Sequence, residues 1–181
     1  MLNISESGDR ITFMPMKKYS LVLLSFMLLL SLKGLAQDST VVPVYKRFPT
    51  VPVFRILSAP DSTVFTRDNL SEKKPVMFMM FSPDCDHCQH ATEDLKRNMD
   101  AFKKVQIVMV SSLDYDHILA FYHTYGLDAY PNITVGRDPA YMLGTFFSVH
   151  NFPSIYLYDK KGKLKANFEG SVPFKKIAES L

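Results

Sequence analysis

Tryptophan is absent from this 181-residue chain and cysteine occurs only twice. Two thiols allow one disulfide at most. Both lie in Ser82-Pro-Asp-Cys-Asp-His-Cys-Gln-His90, and a bridge across a two-residue gap closes almost no loop, so it would do little as a structural brace. Glycine is scarce, with seven residues, and none form a phosphate-cradling loop. Repeats and low-complexity tracts are also missing, which leaves a nucleotide-binding or scaffold reading little to rest on. The apolar run Leu21 to Leu32 is shorter than the roughly 18 to 20 residues that a membrane-spanning helix needs.

That run has another use. MKKYSLVLLSFMLLLSLKGLAQ, from Met16, sets two lysines before the apolar stretch and small residues after it, the layout of a secretory signal peptide. Gly34 and Ala36 suit the −3 and −1 positions, so cleavage is expected after Ala36. Residues 16–36 are therefore read as the signal. Residues 1–15 read as neither signal nor domain, as a start assigned too early would leave them. Residues 1–36 carry four of the 21 basic residues and two of the 18 acidic ones, leaving 17 against 16, or +1, in residues 37–181. The basic character of the whole chain is mostly leader and gives no argument for nucleic acid. The expectation is an exported protein, periplasmic in a two-membrane bacterium, whose mature part does not span a membrane.

The stretch QDSTVVPVYKRFPTVP, with its prolines and polar side chains, suggests that residues 37–47 form an extended arm, followed by one domain over 48–181. Val53 to Leu70 reads as a β-hairpin turning at Ala59-Pro-Asp-Ser62, placed ahead of the main sheet. The apolar run Pro75 to Phe81 suits a central strand covered on both faces. Cys88, Ala91, Leu95, Met99 and Phe102 then recur every three or four residues, the stripe of an amphipathic helix. Further expectations are a strand over 105–110, a helix over 116–125, a short strand at 132–135 and a helix from Pro139 to about Val149. A hairpin of 154–158 with 163–168 follows. A closing helix would be capped by Ser171, with Phe174, Ile177 and Leu181 on one face. The sum is an α/β fold with a central mixed sheet flanked by helices and an extra N-terminal β-hairpin.

The cysteine pair has three readings. A brace is the poorest. A metal site gains from His87 and His90, yet no second ligand pair with zinc-site spacing stands elsewhere, and His87 would tend to point away from the inward-facing sulfur. The redox reading fits the positions best. A C-x-x-C at a strand-to-helix junction places Cys85 where unpaired amides and the helix dipole favour a thiolate, with Cys88 one turn further in. His87, when cationic, supports that charge, while Asp84 and Asp86 oppose it. Cys85 is then the nucleophile and Cys88 the resolving thiol.

The series FMMFSPDCDHC, VQIVMVSS, ITVGRD and FSVHNFPSIYLYDKKGKLKANFEG resembles exported thioredoxin-like proteins of the TlpA and redoxin type, from about Phe48 to Leu181. The resemblance implies a thioredoxin-like fold and thiol-disulfide oxidoreductase activity, with protein thiols and disulfides as substrates; reduction is the expected direction, with isomerisation and disulfide formation as alternatives, since the sequence does not set the direction of electron flow. It implies no cofactor beyond the Cys85–Cys88 pair, and makes a membrane electron carrier a candidate donor. It also implies that Pro153 is cis and shapes the substrate groove beside the redox pair. Phe152 stands where the family commonly has threonine, so it would select a partner or fill the groove. Two other departures touch proton handling: Met79 occupies the place of thioredoxin's buried aspartate, and Asp84 that of the usual tryptophan. A peroxiredoxin loop is ruled out by Phe78 at its proline position. The rival from another class is a Sco-like copper-delivery protein, although its C-x-x-x-C spacing is one residue longer. His150, three residues before Pro153, reads as a capping or surface residue first and a proton donor second. His117 and His123 show no constellation.

Overall fold

The computed structural model describes residues 42–181 and, of the preceding segment, Phe26 alone. The expected leader, residues 1–15 and the first part of the arm lie outside the described residues. The described residues form seven strands: β1 (Arg55–Ser58), β2 (Thr63–Thr66), β3 (Val76–Met80), β4 (Gln106–Ser111), β5 (Ile133–Arg137), β6 (Ser154–Tyr158) and β7 (Leu164–Glu169). They build one mixed sheet in the order β2-β1-β5-β4-β3-β6-β7. β3 runs parallel to β4, with Met79 opposite Met109, and antiparallel to β6, with Met79 opposite Ile155. All five β3 residues are buried. Met77 and Met79 enter one apolar cluster while Val76, Phe78 and Met80 enter the other, as the alternation of side chains along a strand requires.

The first cluster is closed by α2 (Asp86–Arg97), α3 (Met99–Phe102), α4 (Tyr115–Thr124) and α6 (Phe174–Ala178), through Cys88, Leu95, Phe102, Ile118, Phe121, Phe174 and Ile177. The second is closed by α1 (Val44–Arg47) and α5 (Met142–Phe147), through Tyr45, Leu143 and Phe147. Helices thus cover both faces, which is why β3 is apolar throughout and β4 and β6 are apolar between Ile107 and Val110 and from Ile155 on. Phe147 stacks on Tyr156 at 3.9 Å between centroids, and Tyr45 meets the same Tyr156 ring edge-on at 5.0 Å. The Tyr156 hydroxyl donates to the Phe147 carbonyl, so this aromatic contact leaves no orphaned polar group.

Three expectations need correction. Residues 44–47 are not part of an extended arm: they form the single turn α1, because Tyr45 gains a buried seat against Phe147 and Tyr156. The N-terminal hairpin does not stand ahead of the sheet but extends it, β1 pairing with β5 through Leu57 opposite Arg137 and Ser58 opposite Gly136. Gly136 permits this approach: a Cβ there would lie 2.8 Å from the Leu57 carbonyl oxygen and 2.9 Å from Ile56 Cδ1. The closing helix is capped by a different residue. The Asp94 carboxylate, reaching from α2, accepts the Phe174 N–H at 2.7 Å, Ser171 turns elsewhere, and Leu181 is 39% exposed beyond the helix end.

β3 leads into the loop that carries the cysteines and β4 runs parallel to it, so both end at that edge of the sheet and their starts mark the opposite edge. Lys73, Lys74, Lys103 and Lys104 precede those starts, and Lys160 and Lys161 follow the end of β6, where Tyr158 pairs with Val76.

Candidate active site

β3 delivers the chain through Phe81 and the loop Ser82–Asp84 to Cys85, which is the N-cap of α2, with extended backbone (φ −98°, ψ 116°). The first backbone bonds of the helix run from the Cys88 and Gln89 amides to the Cys85 carbonyl, at 2.9 and 3.0 Å. The amides of Asp86 and His87 come before them and face the end of the helix where negative charge is favoured. The loop is held from within: the Cys85 N–H donates to Ser82 O at 3.2 Å, and Gln89 Nε2 donates to Pro83 O at 3.0 Å. Cys85 is therefore fixed at a helix start while remaining partly exposed.

Cys88 differs from its partner in every respect that governs thiol chemistry. It is 0% exposed, within the cluster of Met79, Phe81 and Ile155. Burial pushes its thiol up from 9.0 to about 12; a backbone contact with Ser82 pulls the other way, and the neighbouring Cys85 side chain adds to the rise. The next turn of the helix is tied back by Thr92 Oγ1, which donates to the Cys88 carbonyl. Both cysteines are in the thiol form. One sulfur is reachable and the other is a protonated reserve.

Pro153 follows Phe152 through a cis peptide bond and begins the turn into β6. Pro153 is buried, and Phe152 is half-buried and packs against both apolar clusters, the first of which contains Cys88 and is contacted by Cys85. Phe152 is thus core filling. The flanking charges are exposed: Asp84 and Asp86 both face solvent. His87 is also exposed, and its Nδ1 lies 3.2 Å from the Ser171 hydroxyl, at one side of a groove of about 330 Å³ between α2 and the start of α6. His117, which showed no constellation in sequence, stands 3.4 Å from Asp84 Oδ2. Its position three residues into α4 gave no sign of that pairing. His150 is exposed at the turn before Pro153.

Met79 shares its apolar cluster with Cys88, and its thioether cannot accept a proton at neutral pH. A carboxyl that sequence reasoning passed over lies nearby in the fold. Asp138, directly after β5, is 1% exposed; its Oδ2 accepts the Leu143 N–H at 2.7 Å, while Oδ1 has no partner among the described residues. It lines a one-water-sized cavity of about 10 Å³ with Phe81, Tyr141 and Phe152. An aspartate before a proline at a strand end looks like an ordinary turn residue, and only the burial distinguishes it. Among the described residues, no group of three or more His, Cys, Asp or Glu side chains is placed to hold a metal ion.

Residues 66–181 match the model of the thioredoxin-like domain family, which covers well over half of the chain. The chain belongs to that family. In sequence, this thioredoxin-like chain is 27% identical over 85 residues to a probable protein disulfide-isomerase A6 of Medicago sativa. The match takes in 45% of the chain and only 23% of that relative. In structure, it is similar to a secreted Mycobacterium tuberculosis disulfide oxidoreductase homologous to E. coli DsbE, with a TM-score of 0.60, 18% identity and coverage of 70% of this chain and 92% of that one. It is similar also to a putative thiol:disulfide interchange protein DsbE of Chlorobium tepidum, with a TM-score of 0.59, 19% identity and coverage of 72% and 89%. At these identities the structural likeness speaks for the fold, and the thioredoxin-like architecture is the one built above.

Proposed function

We propose that this thioredoxin-like protein is an exported thiol-disulfide oxidoreductase that reduces disulfides in other exported proteins, using the Cys85–Cys88 pair and no other cofactor. The observation that carries the reading is the asymmetry of the pair: a reachable sulfur at the start of α2 and a fully buried thiol one turn inward. The Cys85 thiolate attacks one sulfur of the partner disulfide, forms a mixed disulfide and releases the first partner thiol. Cys88 then loses its proton, attacks the Cys85 sulfur and releases the second. Two electrons and two protons pass to the partner, and the enzyme pair becomes oxidised. Burial, the main cause of the raised Cys88 thiol, holds that sulfur neutral, so resolution waits on an acceptor for its proton.

Export is supported by the leader-like sequence at Met16 and by the secreted character of the mycobacterial neighbour. A membrane electron carrier fits as the donor that restores the dithiol. A Sco-like copper role draws no support from the described side chains, which bring no third ligand to the cysteines.

The test is equilibration of the full chain in a glutathione or dithiothreitol series, with the oxidised fraction read by thiol alkylation. A potential near thioredoxin's, about −270 mV, supports electron donation. A value above about −200 mV reassigns the protein to disulfide formation or isomerisation. Full exchange activity in Cys85→Ser would remove the nucleophile assignment.

A further inference from the structure

The loops at the redox end of the sheet share a composition that the exchange chemistry does not require. Asp84 and Asp86 flank Cys85, Asp114 and Asp116 open α4, and all four are exposed. Two contacts tie these loops together: Asp84 Oδ2 lies 3.4 Å from His117 Nδ1 of α4, and Asp114 Oδ1 pairs with Arg137 Nη2 at 3.0 Å. Arg137 is the only Lys or Arg side chain within or next to the loops 81–85, 112–114, 138–141 and 148–153 that surround the sulfur. The six lysines at the opposite edge of the sheet leave this end acidic although the charge of residues 37–181 is close to balanced.

Apolar side chains stand exposed among these carboxylates. Leu113 precedes α4, while Tyr141, 45% exposed, and Met142 open α5; Tyr141 shares a small cavity with Phe152, the residue before Pro153. Beneath Tyr141 and Phe152 lies Asp138 Oδ1, buried and without a partner among the described residues. A partner disulfide must cross this surface to meet Cys85. An extended segment bearing lysine or arginine would gain charge attraction from the rim, and its apolar residues would cover Leu113, Tyr141 and Met142. An acidic segment would meet repulsion at every approach.

We propose that the strand-end loops around Cys85 form an acidic, apolar-studded docking face for a cationic, cysteine-bearing segment of a partner protein. This rests on the redox function proposed above and names the class of its substrate. The rim charges act mainly on encounter, so the preference lies in the association rate and is screened by salt.

The experiment compares two self-quenched fluorescent peptides, each with one disulfide and the same apolar residues, flanked by lysines in one and by glutamates in the other. Their reduction by the reduced full chain is followed by stopped-flow at low and high salt. The lysine peptide is expected to react about tenfold faster at low salt, with the ratio falling towards one in 1 M salt. In Asp114→Asn/Asp116→Asn the low-salt ratio should fall several-fold. Equal rates for the two peptides, or a faster glutamate peptide, overturn the docking face while leaving the oxidoreductase reading intact. Failure to reduce either peptide overturns that reading and the docking face with it.

Discussion

Limited alkylation tests the inner thiol directly. With its thiol pushed from 9.0 to about 12, Cys88 is ionised in only about one molecule in ten thousand at pH 8, about a thousandfold below an unperturbed thiol. Because the thiolate is the species alkylated, brief iodoacetamide treatment of the reduced protein should label Cys85 and leave Cys88 untouched, as read by mass spectrometry of the peptide that carries both. Burial is the largest cause of the shift and Cys85 a smaller one, so Cys88 should remain protected in Cys85→Ser. In urea the two cysteines should label at equal rates. Labelling of Cys88 in folded Cys85→Ser at the rate of a free cysteine would refute the argument that the apolar cluster holds the thiol neutral.

Three other outcomes are expected. A group whose pKa is raised on folding stabilises fully below its unfolded value and loses that contribution as pH climbs through the folded one. Reduced wild type should therefore lose stability relative to Cys88→Ser between about pH 9 and 12, by about 4 kcal/mol at most, measured as urea midpoints across that range. Asp94→Ala removes the carboxylate that accepts the Phe174 amide and should cost about 1–2 kcal/mol in denaturant unfolding, with Asp94→Asn recovering part of it. Gly136→Ala forces a methyl group against the Leu57 carbonyl and should cost about 1–3 kcal/mol, with faster amide exchange in β1 than elsewhere in the sheet.

The periodic and apolar segments were the legible ones. Val76 to Met80 is buried throughout, the three-and-four stripe runs along α2 as far as Leu95 before a break at Asn98 puts Met99 and Phe102 in α3, and the hairpin 154–169 turns where Asp159-Lys-Lys-Gly162 predicts. The pair at the head of α2 could be found because strand, loop and helix follow in sequence. Features that need two distant segments to meet were hidden. Nothing local in Asp94 announces that it caps a helix 80 residues away, and Gly136 does not say which strand will lie beside it. Asp84 and His117 meet only because α4 packs beside the cysteine loop. Tyr45 was misread because a single turn ordered by one buried ring leaves no periodicity to detect.

Phe152 is the one half-buried side chain that packs against both apolar clusters among the described residues. The two layers of the molecule are therefore not free to vary separately: enlarging Phe147 or Leu143 on the α5 side shifts a wedge whose other flank belongs to the cluster around Cys88. Any lineage that repacks one layer must readjust the approach to its own sulfur. The shape of the groove is thus inherited from the interior of the protein as much as from its rim.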